Sequence, residues 1–405
     1  MPSRGTILPM KPACAACLFV LCAGASLNAQ IPPAEPIVLA GGRLTVGGNV
    51  SATFGPEDPG FFNYTDYEDS VLRMLRLDLN ASFRANDHLS LLGELRSQNV
   101  RAPQAYALYL RVRPWTTRRF DIQVGRIPPT FGSFARRSYE ADNPLIGYPL
   151  GYQYLTSLRA DAVPSSADEL VNMRGRGWLA AYSVGNPVPD AGVPLATAFR
   201  WDTGVQAHLE NEVVDLTASI TTGTLSNPRL TDDNSGRQVT GRVALRPVAG
   251  LIVGASAAHG PFVSTDAVLD AVGSEGDDSF AQTAWGGDIE YSRGYYLLRV
   301  ESIYSQWRMP LLEERLHSLA TLVEGRYKIF PGFYVAARLD HLDFSEVASS
   351  SGPVEWEAPV TRFEVGGGYS VQRNLLLKLT TQFDRRDGGR TRHARMLAGQ
   401  VVYWF

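Results

Sequence analysis

Polar and charged side chains alternate with apolar ones along much of this 405-residue chain, and its chemistry is expected to lie on the charged face. In the stretch 72–83, Arg76, Asp78 and Asn80 alternate with Leu75, Leu77 and Leu79. The same beat places Glu94, Arg96, Arg111, Arg113, Arg200, Asp202, Arg242, Arg246, Arg299 and Glu301 on one face of their segments. Arg326, Lys328, Arg338, Asp340, Arg362 and Lys378 follow, with Asp288, Glu290, Glu324 and Glu364 among them. Mixed ladders of this kind break no bonds. They hold water and hydrated ions across a transverse field, and their modest basic excess predicts a weak preference for anions.

Signals for covalent or metal chemistry are thin. His88, His208, His259, His317, His341 and His393 are scattered without metal-ligand spacing. Neither a Gly-x-Ser-x-Gly elbow nor a phosphate-cradling loop occurs. Asp232-Asp233-Asn234 lacks the spaced ligands and closing Glu of a calcium loop. All three cysteines, Cys14, Cys17 and Cys22, sit near the start. No catalytic residue, metal or cofactor is therefore expected. The net charge of −3 argues against a nucleic-acid partner. All but three of the 38 lysines and arginines are arginine, the exceptions being Lys11, Lys328 and Lys378. Its flat charged fork suits carboxylates and phosphates, although a high-GC genome biases composition the same way.

A period of two demands β-strands with one face in an apolar medium. Seventeen strand candidates start near residues 42, 71, 88, 104, 120, 177, 198, 213, 238, 251, 281, 294, 316, 332, 359, 374 and 393. Short connections such as Ser292-Arg293-Gly294 and Phe330-Pro331-Gly332 alternate with long ones such as 55–70, 223–236, 260–279 and 346–358. Outer-membrane barrels show that alternation, with short turns in the periplasm and long loops outside. A soluble sandwich would bury the apolar face and expose the charged one. Residues 1–29 read as a secretory signal: Arg4 and Lys11 precede an apolar run over 13–25, and Leu27-Asn28-Ala29 offers a cleavage site. The mature stretch 30–405 holds no apolar run of spanning-helix length. With both barrel termini periplasmic, the strand number must be even, so the miscount lies between Pro128 and Ala198. Either 177–184 does not span, leaving sixteen strands, or 151–159 spans as well, making eighteen.

The last strand carries a sharper sign. Leu397, Gly399, Val401, Tyr403 and Phe405 alternate up to an aromatic terminus. That ending resembles the C-terminal assembly signal of outer-membrane proteins, and the resemblance implies recognition of Tyr403 and Phe405 by the barrel-assembly machinery. A second resemblance follows the fifth strand. Gly125-Arg126-Ile127-Pro128-Pro129-Thr130-Phe131-Gly132 is similar to a segment of the phosphate-selective type of porin, where a Pro-Phe-Gly element leads into a loop folded into the lumen. The match covers these few residues and the general architecture. The doubled proline and the scarcity of lysine depart from that type. By this likeness 127–176 is the candidate constriction loop, and Arg126, Arg136, Arg137, Tyr139 and Arg159 are its candidate pore-facing residues. The same arginines can instead pair with Glu140, Asp142 or wall acids such as Glu94 and pin the loop, and both readings use the same charge pairs.

The sequence thus predicts an all-β, antiparallel transmembrane barrel of sixteen or eighteen strands with one long inward-folding loop. Its expected function is that of an outer-membrane porin passing small hydrophilic solutes, among outer-membrane lipid and lipopolysaccharide. The resemblance adds assembly as a homotrimer. A barrel enzyme of the phospholipase or protease type, or a structural or adhesive barrel with a closed lumen, is the alternative.

Overall fold

The computed structural model describes residues 33–64, 69–198, 201–226, 234, 236–273 and 280–405. From Glu35 onward the chain is one unit built on a closed antiparallel sheet. Its wall strands are β1 (Leu44–Phe54), β2 (Leu75–Arg84), β3 (Leu89–Gln98), β4 (Gln104–Val112), β5 (Phe120–Ile127), β6 (Asp202–Glu210), β7 (Val214–Thr221) and β8 (Gln238–Val248). There follow β9 (Leu251–Pro261), β10 (Ala281–Arg293), β11 (Tyr296–Trp307), β12 (Leu316–Phe330), β13 (Phe333–Phe344), β14 (Val360–Gln372), β15 (Leu375–Arg386) and β16 (His393–Trp404). Each pairs with its neighbours in sequence, and β16 closes the ring on β1 from Asn49↔Trp404 to Phe54↔Gly399. The remaining edge of β1 is covered by Ile37–Leu39, so no wall edge is left open there.

The faces are inverted relative to a soluble fold. Leu75 and Leu77 point outward and are exposed, while Arg76 and Asp78 between them are buried in the interior. Leu379 and Leu397 repeat the outward pattern on β15 and β16. Short turns and the C-terminus share one end, and the long connections lie at the other. The apolar cluster that a soluble protein would carry between its sheets sits at this long-loop end. There Phe62, Leu158, Leu170 and Phe262 pack with Trp307 and Trp356, whose rings meet edge-on at 5.9 Å.

Sixteen wall strands settle the parity question in favour of the smaller number. The segment 177–184 does not span: its pairings are the short ladder of Val184–Gly185 with Ala162–Val163 and an isolated bridge from Ala180 to Asp190, both within the connection itself. Residues 150–153 form a short helix rather than a strand. Both lie in the connection 128–201, which leaves the wall after β5. On β4 an extra residue slips the register against Glu94 and Leu95, so that Tyr106 and Ala107 in succession are buried. One facing expectation is corrected. Arg113 lies beyond the end of β4 in an exposed turn, its N–H donating to the carbonyl of His88 at 2.7 Å, so it does not line the interior.

Candidate functional site

Two adjacent prolines end the pairing of β5, because neither can donate to a ladder. The chain then turns into the barrel. Thr130 Oγ1 lies 2.9 Å from both Gln206 on β6 and Ser219 on β7. Gly132 donates its N–H to Ser256 on β9. Ser133 donates from its N–H (2.6 Å) and its hydroxyl (2.9 Å) to Glu301 on β11. Arg137 pairs with Glu290 on β10 at 3.3 Å, and the Tyr139 hydroxyl donates to Glu94 on β3 at 2.6 Å.

The loop then reaches the opposite wall. Glu140 accepts from Arg76 on β2 at 2.5 Å and from Asn49 on β1 at 2.9 Å. Arg338 on β13 donates to the Asn143 side chain and to the Gly147 carbonyl, both at 2.8 Å. Glu364 on β14 accepts the Gly147 N–H at 2.9 Å. The Lys378 ammonium on β15 donates to three loop carbonyls, those of Glu140, Asn143 (2.7 Å) and Leu145 (3.2 Å). The segment 130–152 therefore crosses the lumen from wall to wall. Its return is anchored by Tyr152, whose hydroxyl donates to Glu301 at 2.6 Å.

Two glycines make this fit. A methyl group on Gly147 would come within 2.0 Å of Gln382 and 2.6 Å of Glu364. Gly132 has a φ of +73°, and a Cβ there would stand 1.9 Å from the Tyr152 hydroxyl.

Electrostatics hold the loop in place. Burial works to raise the Glu140 carboxyl, but Arg76, then Arg96, its backbone hydrogen bond and Lys378 outweigh it and hold the group below the ordinary value. Burial, reinforced by the neighbouring Glu94, pushes the Tyr139 phenol far upward, so it stays a donor.

The expected wall residues are found as follows. Arg76, Asp78, Glu94, Arg96, Asp202, Glu301, Arg338, Asp340, Arg362 and Lys378 are buried on the inner face. Arg96 pairs with Asp78 at 2.6 Å and lies over the Tyr106 ring, while Arg111 stands 3.4 Å from Asp121. Arg242 grips Asp288 bidentately at 2.6 and 2.9 Å. Arg299 bridges Glu290 and Glu324, and Arg362 pairs with Asp384 at 2.7 Å. Arg326 lies 5.7 Å from the Tyr334 ring. Arg200 and the side chain of Arg136 lie outside the described residues.

Of the loop candidates, Arg137 and Tyr139 touch the wall, and Arg126 on β5 donates to the Tyr106 carbonyl at 2.9 Å. Arg159 is corrected. It is fully buried inside the loop's own fold, held by Asp161 and by the carbonyls of Ala180 and Val188, and it faces no passage. The anchors Asn143, Gly147 and Tyr152 were not among the candidates. They act largely through backbone groups or distant partners, which strand alternation does not report.

A scan against protein-family models finds no match, and a search of curated proteins finds none. Solved structures do match. The trimer form of in-vitro folded OmpT, an outer membrane protein of Vibrio cholerae, covers 89% of this chain and 99% of its own at 12% identity, with a TM-score of 0.53. The fold is that of the outer-membrane porins. The anion-selective porin from Comamonas acidovorans matches over 89% of this chain and 99% of its own, at 10% identity and a TM-score of 0.54. The outer membrane channel DcaP of Acinetobacter baumannii covers 92% of this chain and 100% of its own at 11% identity, with a TM-score of 0.53. The likeness to this porin fold does not single out the phosphate-selective type.

Proposed function

We propose that this chain is a non-enzymatic outer-membrane channel of narrow bore, through which small hydrophilic solutes diffuse past the segment 130–152. The observation that carries the reading is that loop: within a closed barrel with a charged inner face, it is fixed to both walls at the same depth as the ladders. Bonds to the wall make it a fixed sieve. The pinning and filtering roles of Arg137 and Tyr139 are then one role, since whatever passes must pass beside those pairs.

Selectivity is expected to be weak. Arg76, Arg96, Arg242, Arg299, Arg338 and Arg362 each have a carboxylate within salt-bridge distance, so little positive field is left uncompensated. A slight anion preference is the residue of that balance. In planar bilayers the purified protein should give small conductance steps that scale with salt, and a reversal potential slightly on the anion side under a salt gradient. A clear cation preference would overturn the selectivity reading.

A closed-lumen barrel is favoured by one observation, the apolar cluster at the long-loop end. Complete absence of conductance across preparations that fold and insert would select it.

Assembly as a homotrimer is supported by the uneven wall. β5 and β7 have 8 residues each, whereas β12 has 15. A tilted strand needs roughly 9–11 residues to cross the hydrocarbon, so the short-walled side is better covered by protein than by lipid. Export by a cleaved signal over 1–29 and recognition of Tyr403 and Phe405 by the assembly machinery complete the proposal. The Phe405 backbone exchanges two 3.0 Å hydrogen bonds with Gly48, so the aromatic terminus is where the ring closes.

A further inference from the structure

We infer that the turn between β15 and β16, with its flanking strand ends, is a docking surface for the phosphorylated headgroup of an outer-leaflet glycolipid of the lipopolysaccharide class. The inference rests on the outer-membrane reading above.

Arg385, Arg390, Arg392 and Arg395 are all exposed at the long-loop end of the barrel. Strand alternation puts Arg385 and Arg395 on the outer, lipid-side face. Arg385 pairs in register with His393, and Phe383 pairs with Arg395, so the two arginines are diagonal neighbours on adjacent strands. Two like charges placed this way repel each other unless an anion lies between them. Among the described residues, none of these four arginines has an acidic partner within salt-bridge distance. The inner-face arginines behave in the opposite way.

Depth favours a lipid. The Arg395 guanidinium lies 5.2 Å from the centre of the outward Phe383 ring. Phe383 and Leu397 belong to the apolar outer band, at 40% and 57% exposure. The charges therefore stand where hydrocarbon gives way to headgroups. Guanidinium forks bind phosphate bidentately, and clustered basic groups at a membrane surface add their attractions.

The turn is held in shape. Arg386 is buried and donates to the carbonyls of Gly60 (3.2 Å), Gly388 (3.3 Å) and Thr391 (3.0 Å). Its N–H bonds the Arg392 carbonyl at 2.8 Å. One arginine is thus spent organising the turn that presents the others. The exposed Asp387 also lies in this turn, which the four arginines leave with a basic excess, and elsewhere on the same rim Asp266, Asp270, Glu313 and Glu314 are exposed beside Arg308 and Arg315.

The test uses the full chain in neutral detergent and native mass spectrometry with a bisphosphorylated lipid A. The same lipid stripped of phosphate is run beside it, and inorganic phosphate serves as competitor. The wild type should retain the phosphorylated lipid and release the stripped one. Each arginine changed to glutamine should weaken retention about fivefold. Arg390→Gln with Arg392→Gln tests this without touching strand pairing, in case a variant with all four arginines changed to glutamine fails to fold. Undiminished retention by the double variant overturns the inference, as does equal retention of the stripped lipid. Full displacement by inorganic phosphate at the lipid's own concentration would make free phosphate the ligand and overturn it too. Bilayer conductance of the wild type is recorded separately: its absence would sink the channel reading and leave a positive lipid result standing, and the converse result would sink only the docking surface.

Discussion

Arg76 and Glu140 meet at 2.5 Å across the interior of the barrel, one from the wall and one from the loop, and both are buried. Removing one member of a buried pair strands the other, at a cost of about 3–5 kcal/mol. Arg76→Met should therefore free the loop locally. Faster tryptic cleavage within 130–152, with the barrel itself still folded, is the expected outcome. Unchanged cleavage would mean that the pair holds nothing.

Acid should do the same by titration. The Glu140 carboxyl is held below its ordinary value of 4.5 in the folded protein, chiefly by Arg76 against the opposing effect of burial. A depressed folded value contributes stability above the unfolded one and loses it as pH falls through the folded one. Loop protection should thus be flat from neutral pH down to about the ordinary carboxylate range and then fall. The Glu140→Gln variant should lack this acid-dependent step. A step of the same size in that variant would assign it to another group.

Gly147→Ala should be poorly tolerated, since its methyl would press into Gln382 and Glu364. Overpacking of this kind typically costs about 1–3 kcal/mol. Urea unfolding in lipid vesicles, followed by tryptophan fluorescence, is expected to show a lower midpoint. An unchanged midpoint would mean that loop and wall are less tightly apposed than described.

Much of the wall was legible in the sequence. The strands beginning at Gln104, Phe120, Gln238, Leu251, Ala281, Leu316 and His393 start where alternation places them, because a period of two against lipid leaves no other register. The parity argument also located the irregular segment, which the double proline begins. The bulge at Tyr106 escaped notice because one extra residue leaves the alternation intact on either side. The loop was harder. Its pairing of Glu140 with Arg76 is remote in sequence, and Lys378 binds backbone carbonyls that no side-chain pattern announces. Arg159 was misplaced for the same reason: a buried arginine satisfied by carbonyls looks, in sequence, like one lining a pore.

Charge balance makes a separate prediction. Asp288 is gripped by both terminal nitrogens of Arg242. Asp288→Asn should uncover that charge and move the reversal potential further toward anions under a salt gradient. A shift toward cations would contradict the pairing account.

The central claim is that a loop fixed to both walls sets what the barrel admits. Single-channel conductance of the wild type beside a variant carrying Arg76→Met and Lys378→Met tests it most directly. The account predicts small steps for the wild type and larger ones for the variant, with both proteins folded and inserted. Equal steps in the two would contradict it.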